Sequence, residues 1–217
     1  MKIMLDPGHG KTDNVSPLNS NFYEGTSNFL FALELKRELE KYKDVEVLMT
    51  RNNVDDNPSL EERGRMAVNN KCDVFLSIHS NAYTDPTVYG VEGYYSVNTP
   101  LAKGLLEGLC NAVKINLPNS KVRKVVTKTN SGTDYYGVLR SSKGVAYSML
   151  IEQGFHTNKG ELACLMTAEW RKTVAELQAR VFSDFFRLVK KPETVEKTTK
   201  ARLLEIAKEL QAIAETL

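Results

Sequence analysis

The sequence predicts an α/β protein: a twisted, mostly parallel sheet of about six strands with helices on both faces. Three observations carry that expectation. Strand-like and helix-like segments alternate along most of the 217 residues, the order expected of a sheet wound with crossover helices. The segments IMLD, VEVLMT, DVFLSI and AYSMLI are near-continuous apolar runs, as in strands buried on both faces. The helix-like segments instead repeat their apolar residues at three- and four-residue spacing.

Taken in order, Lys2–Asp6 is a short buried-type strand and NVSPLNSNFYEG a long polar loop. Thr26 is placed to N-cap SNFLFALELKRELEKYK, where Phe29, Leu30, Leu33 and Leu39 share a helical spacing. Val45–Arg51 reads as a second strand. Ser59, with Glu62 three residues on, forms a capping box for the helix LEERGRMAVNN. DVFLSIHSNA and Val91–Val97 read as further strands, and Pro100 opens a helix running to about Asn116. Tyr135–Arg140 and Ala146–Gly154 complete the predicted strands, and TAEWRKTVAELQARVFSDFFRLV is a long amphipathic helix.

At Lys190 the texture changes. KKPETVEKTTK is charged and nearly free of apolar residues, so a domain over 1–189 is followed by a linker over 190–200. A C-terminal amphipathic helix then spans 201–217. Its Leu203, Ile206, Leu210, Ile213 and Leu217 make an a/d seam about two heptads long. Such a helix folds back on the domain, self-associates, or begins a further binding module.

The charge balance, 29 basic against 27 acidic side chains and a net +2, argues against a dedicated nucleic-acid partner. The longest basic cluster, Lys121–Lys128, reads as a solvated strand or loop, with contact to an anionic polymer as its sharper alternative. Cys72, Cys110 and Cys164 show no CxxC spacing and read as reduced structural residues. No apolar run approaches the roughly 20 residues of a membrane span. The turn Asp6-Pro7-Gly8 interrupts the first strand where a secretory leader would need its apolar core. The expectation is therefore synthesis in a cytoplasm without a signal peptide, and no membrane partner.

Chemistry concentrates at strand ends. His9 follows IMLD, His79 follows VFLSI, and Glu152 ends YSMLI. In an open parallel sheet, ligands bind beyond the carboxyl ends of the strands. Two imidazoles, one carboxylate and an open position make a catalytic zinc shell. Glu24, in NFYEGTSN, and Glu152 both qualify as the carboxylate; one would be ligand and the other base, and spacing does not assign them. Asn81, Arg140 and His156 lie just past strand ends and are candidate substrate contacts. Glu92 and Asp85 read as surface acids.

In order, LDPGHG, YEGTSNFLFALELKREL, VLMTR, LEERGRMAVNNKCDVFLSIHSNA, GVEGYY, YGVLR and MLIEQGFHTNKGE closely resemble the zinc-dependent N-acetylmuramoyl-L-alanine amidases of the amidase type 3 family. The resemblance covers about residues 1–189. It implies one zinc ion per chain held by His9, Glu24 and His79, with Glu152 as catalytic acid/base. It implies peptidoglycan as partner and cleavage of the bond between N-acetylmuramic acid and the L-alanine of the stem peptide. Lys11 stands where family members often have a second Gly, and GVAYSML precedes the last strand end where small apolar residues and Pro are usual; neither touches a ligand. The segment between Asn81 and Gly90 is too short for the helical insertion that blocks the site in many bacterial members. The chain thus resembles phage endolysins more than secreted cell-division amidases, and would reach the wall after release. A zinc carboxypeptidase-like wall peptidase would need a cation to read a terminal carboxylate, for which Arg140 is the tempting residue. A non-catalytic wall-binding module would need neither Glu24 nor Glu152.

Overall fold

The structure, a computed structural model, describes residues 1–118 and 121–192. Its elements in chain order are β1 (Lys2–Pro7), β2 (Val15–Ser16), β3 (Asn19–Tyr23), α1 (Glu24–Leu39), β4 (Glu46–Met49), α2 (Leu60–Asn69), β5 (Val74–Asn81) and β6 (Val91–Tyr95), followed by α3 (Ala102–Lys114), β7 (Val122–Val126), β8 (Thr129–Asn130), β9 (Thr133–Asp134), α4 (Gly137–Ser141), β10 (Tyr147–Phe155), α5 (Lys159–Leu165) and α6 (Ala168–Phe186). The central sheet has six strands in the order β4-β1-β5-β10-β6-β7. The first four run parallel, β6 is antiparallel to β10, and β7 follows the direction of β6. The expected α/β class is therefore found, with a reversed pair at one edge.

Side-chain alternation assigns the two faces. Ile3, Leu5, Val74, Leu76, Ile78, Met149 and Ile151 pack beneath α1, α3 and α6 in the larger core. Met4, Phe75, Leu150 and Tyr94 project to the other face, where the smaller core includes residues of α2 and α4. Asp6, Ser77, His79, Glu152 and Glu92 continue those second rows toward the carboxyl ends of the parallel strands. That end of the sheet is where the site lies.

Several local expectations are corrected. Tyr135–Arg140 is not a strand: Gly137–Ser141 is a short helix that buries Val138 and Leu139 against the smaller core. A short apolar run cannot by itself distinguish the two. The sixth strand is instead β7, whose Arg123 and Lys124 are exposed as suits a sheet edge. The polar loop before Glu24 contains the β2–β3 hairpin. α1 begins at Glu24 rather than after Thr26, because the Glu24 and Gly25 amides donate to the Asn14 and Asp13 carbonyls. Thr26 Oγ1 donates to the Lys11 carbonyl instead of capping. α3 begins two residues after Pro100. α5, N-capped by Asn158, has no counterpart in the sequence reading. The Ser59–Glu62 capping box is present.

Lys190 and Lys191, the first residues of the expected linker, make backbone contacts to the segment after α1: the Lys191 amide donates to the Lys41 carbonyl and Lys190 bridges to Tyr42. The rest of the expected linker beyond Pro192 and the helix over 201–217 lie outside the described residues.

Candidate metal centre

Three side chains converge at the carboxyl ends of β1 and β5. His9 follows β1 in a left-handed conformation, φ 65°. Glu24 is the first residue of α1, and His79 lies near the end of β5. The Glu24 carboxylate sits between the two imidazoles, with Oε2 3.5 Å from His9 Nε2 and Oε1 3.2 Å from His79 Nδ1. One donor atom from each residue can be chosen so that all lie within 4.8 Å of one another. Zinc with ligand bonds of about 2.0–2.1 Å in tetrahedral array separates its donors by about 3.3 Å. Each imidazole lies near that spacing from one of the two Glu24 oxygens, and the trio lies within 4.8 Å, so the donor set suits zinc in its chemistry and is close to it in size. Among the described residues no other such group of His, Cys, Asp or Glu occurs.

The surrounding backbone explains the convergence. A Cβ at Gly8 would lie 2.1 Å from the His79 ring, so only glycine lets β1 pass beside it. A Cβ at Gly25 would lie 1.7 Å from the Gly10 carbonyl oxygen, so α1 can start against the His9 turn only from a glycine. Arg63 fixes that turn. Its Nη1 donates to the Pro7 carbonyl at 2.8 Å and its Nη2 to the His9 carbonyl at 3.1 Å. Arg63 Nη1 also pairs with Asp6 at 2.8 Å, and Thr50 and Ser77 donate to the same buried carboxylate. Arg51 Nη1 donates to the Gly25 carbonyl at 2.8 Å. Asn14 Nδ2 donates to Glu24 Oε2 at 2.8 Å, and the Ser80 amide donates to Oε1 at 2.9 Å.

Burial alone would push the Glu24 carboxyl up. The His79 hydrogen bond, the charges of both imidazoles and the Asn14 amide outweigh it and hold the group at about 2. Burial would likewise lower His79, but Glu24 and Glu152 raise it to about 9. The pair is thereby favoured as an imidazolium–carboxylate, so a metal ion entering at neutral pH would have to displace its proton.

Glu152 stands apart from that group. It is the register partner of His79 across β5 and β10. Burial dominates its environment and lifts its carboxyl to about 7, with the Glu24 and Glu92 charges adding and His79 opposing. Its Oε2 is buried and has no hydrogen-bond partner among the described residues. The two carboxylates differ in setting: Glu24 lies between the imidazoles, whereas Glu152 Oε2 is buried without a partner among the described residues.

An open cleft of about 650 Å³ is lined by these groups and by Asn14, Pro17, Asn81, Tyr83 and His156. Asn81 reaches it while donating to Glu92. His156 is held by Ser80 at 2.9 Å and lies near the Phe22 ring; burial lowers its pKa, so it is neutral. Arg140 is not brought to the cleft. Its guanidinium donates to the Asp134 and Tyr135 carbonyls, and it lines a separate surface pocket with Leu60 and Arg65. Glu92 is no surface acid: it is 5 % exposed and ion-paired with Arg123 and Lys124. Asp85 is exposed and accepts from Thr87, as a turn residue does. Sequence reasoning missed Asn14, Arg51, Arg63 and Glu92. Arg63 alone carried a signal, as an arginine on the buried side of a short capped helix.

The family model for N-acetylmuramoyl-L-alanine amidases matches residues 3–182, and the chain belongs to that family. The amidase LytC of Bacillus subtilis is 30% identical over 176 residues, 80% of this chain and 33% of LytC. AmiC of Neisseria meningitidis is 34% identical over 168 residues, 74% of this chain and 39% of AmiC. A solved N-acetylmuramoyl-L-alanine amidase from Clostridium difficile 630 superposes with a TM-score of 0.75 at 28% identity, covering 86% of this chain and 96% of that one. The chain spans between 33% and 48% of the length of the LytC and LytH relatives it matches.

Proposed function

We propose that the chain hydrolyses the amide between the lactyl group of N-acetylmuramic acid and the L-alanine of the peptidoglycan stem peptide. His9, Glu24 and His79 hold one zinc ion, and Glu152 is the acid/base. One observation carries this reading: in a chain of this family, a metal-competent trio and a buried, unpartnered carboxyl share one open cleft.

When bound, zinc supplies Lewis acidity that polarises the scissile carbonyl and acidifies water. Glu152, which lines the cleft, takes the proton of the attacking water and returns it to the departing alanine amine. A carboxyl lifted to about 7 is matched to both transfers. Asn81 and His156 line the cleft and contact substrate; Arg140, spent on carbonyls elsewhere, does not.

A zinc carboxypeptidase-like peptidase would need a cation inside the metal cleft, within one residue of the scissile bond, to read a terminal carboxylate. No Lys or Arg of the described residues lines it. The nine residues between β5 and β6 form turns without a helix, which supports an open, lytic, endolysin-like site acting on the wall. No described helix is long and apolar enough to cross a membrane.

The test is digestion of purified peptidoglycan with mass analysis of the products, with and without chelator. Free L-alanine amino ends and intact glycan are expected, with loss of activity in chelator while circular dichroism is retained. Release of single amino acids, or full activity in verified metal-free protein, would overturn the reading.

A further inference from the structure

The sheet sets four charged residues in one row. His79 on β5 is the register partner of Glu152 on β10, Glu152 of Glu92 on β6, and Glu92 of Lys124 on β7. Register partners on neighbouring strands project from the same face. The row therefore runs from the metal group, through the acid/base, to the edge of the sheet.

The outer end of the row is built around Glu92. Arg123 Nε lies 2.8 Å and Lys124 Nζ 3.2 Å from its oxygens, and Tyr94 and Asn81 donate to it as well. A register shift between Val91 and Glu92 lets the consecutive Arg123 and Lys124 reach one carboxylate. Lys128, just before the β8–β9 hairpin, places its ammonium 3.9 Å from the centre of the Tyr135 ring. That ammonium also lies 5.9 Å from the centre of the Tyr94 ring, which Lys124 Nζ approaches to 5.4 Å.

Holding Glu92 does not account for all these cations. Arg123, Tyr94 and Asn81 already satisfy that buried carboxylate, and one opposite charge balances it. Lys124, whose side chain is 44% exposed, and Lys128 leave the cluster with surplus positive charge. Strands lie about 4.8 Å apart, so the Lys124 backbone stands about 10 Å from that of Glu152. An extended peptide advancing about 3.3 Å per residue covers that distance in about three residues.

We propose that Lys124 and Lys128 form a carboxylate subsite for the stem peptide. With the scissile amide between the metal group and Glu152, the peptide runs outward along the row. A free carboxylate on its second or third residue then meets the two lysines. The inference rests on the amidase reading and deepens it: the enzyme distinguishes stem peptides with free carboxylates from those in which they are carboxamides. It also gives the basic segment Lys121–Lys128 a role that charge composition alone could not.

The test uses the full zinc-loaded chain and synthetic N-acetylmuramoyl tripeptides, with the carboxyls of the second and third residues free or amidated in turn. Cleavage is followed by kcat/KM, and the corresponding free tripeptides are titrated calorimetrically. The acid form should be preferred by about five- to tenfold in both assays, the weight of one or two partly exposed charge pairs. About 0.5 M salt should shrink that preference. The double substitution Lys124→Met with Lys128→Met should bring the acid-to-amide ratio near one, while arginine at both positions restores it. Glu92 keeps Arg123 throughout, and thermal melting verifies the fold. No acid preference in the unsubstituted chain, or a preference that survives the double methionine variant, would overturn the subsite. Failure to cleave either substrate would instead strike the amidase reading, and equal or unequal binding of the acid and amide tripeptides would still decide the subsite.

Discussion

The β1–β5 side of the cleft and the β10 side hold their charged groups by opposite means. On the first side, Glu24 accepts from Asn14 and Ser80 and meets both imidazoles. The turn carrying His9 is gripped by Arg63, which Asp6 holds in turn. Every group there is fixed by at least one partner, and the Glu24 carboxyl stays ionised. On the other side, Glu152 is buried with an oxygen that has no hydrogen-bond partner among the described residues, and its charged form is disfavoured. The contrast is the one that the proposed division between metal ligands and acid/base requires. Metal ligands must keep their geometry, whereas an acid/base must exchange a proton readily and so cannot be tied down.

The largest expected effect comes from breaking the fixed side. Glu24→Ala and His79→Ala should each lose bound zinc and all measurable hydrolysis, because each removes a member of the only trio among the described residues. Elemental analysis of the purified variants checks this; a full equivalent of zinc in either would break the division of roles.

Next is Arg63→Met, which leaves the Asp6 carboxylate buried without its cation. Breaking such a pair costs about 3–5 kcal/mol. Denaturant unfolding should show that loss, accompanied by weaker zinc binding because the His9 turn is released. A variant as stable as the parent would mean the grip contributes little.

The smallest effect sharpens the free side. In metal-free protein, the Glu152 carboxyl is raised from 4.5 to about 7, mainly by burial. The folded state then binds more protons than the unfolded state between those values, so Glu152 lowers stability as pH rises through that window. Glu152→Gln should therefore stabilise the metal-free protein by about 1–3 kcal/mol at pH near 8. The gain should vanish below pH 4.5. Unfolding curves at both pH values decide it, and a variant less stable than the parent at the higher pH would contradict the account.

Much of this was legible in the sequence. The apolar runs that end at His9, His79 and Glu152 give both the parallel strands and their active edge, since a buried strand advertises itself by hydrophobicity. The placement of Glu24 between the two imidazoles was not legible from spacing. Its position depends on two amides at the start of α1 finding the Asp13 and Asn14 carbonyls, a non-local match. Strand β7 was obscured because an edge strand keeps charges outward, and YYGVLR misled because a five-residue helix has too few turns to show a period. Glu92 looked like a surface acid because its partners, Arg123 and Lys124, come from a strand 31 residues away.

The central claim is that Glu152 moves protons and does not hold metal. Glu152→Gln keeps the shape of the side chain but cannot accept the proton, so zinc content and turnover measured on one preparation test it most directly. The account predicts zinc near one equivalent per chain and turnover lower by about 10²–10⁴-fold. Near-normal turnover, or loss of the metal together with the activity, would contradict it.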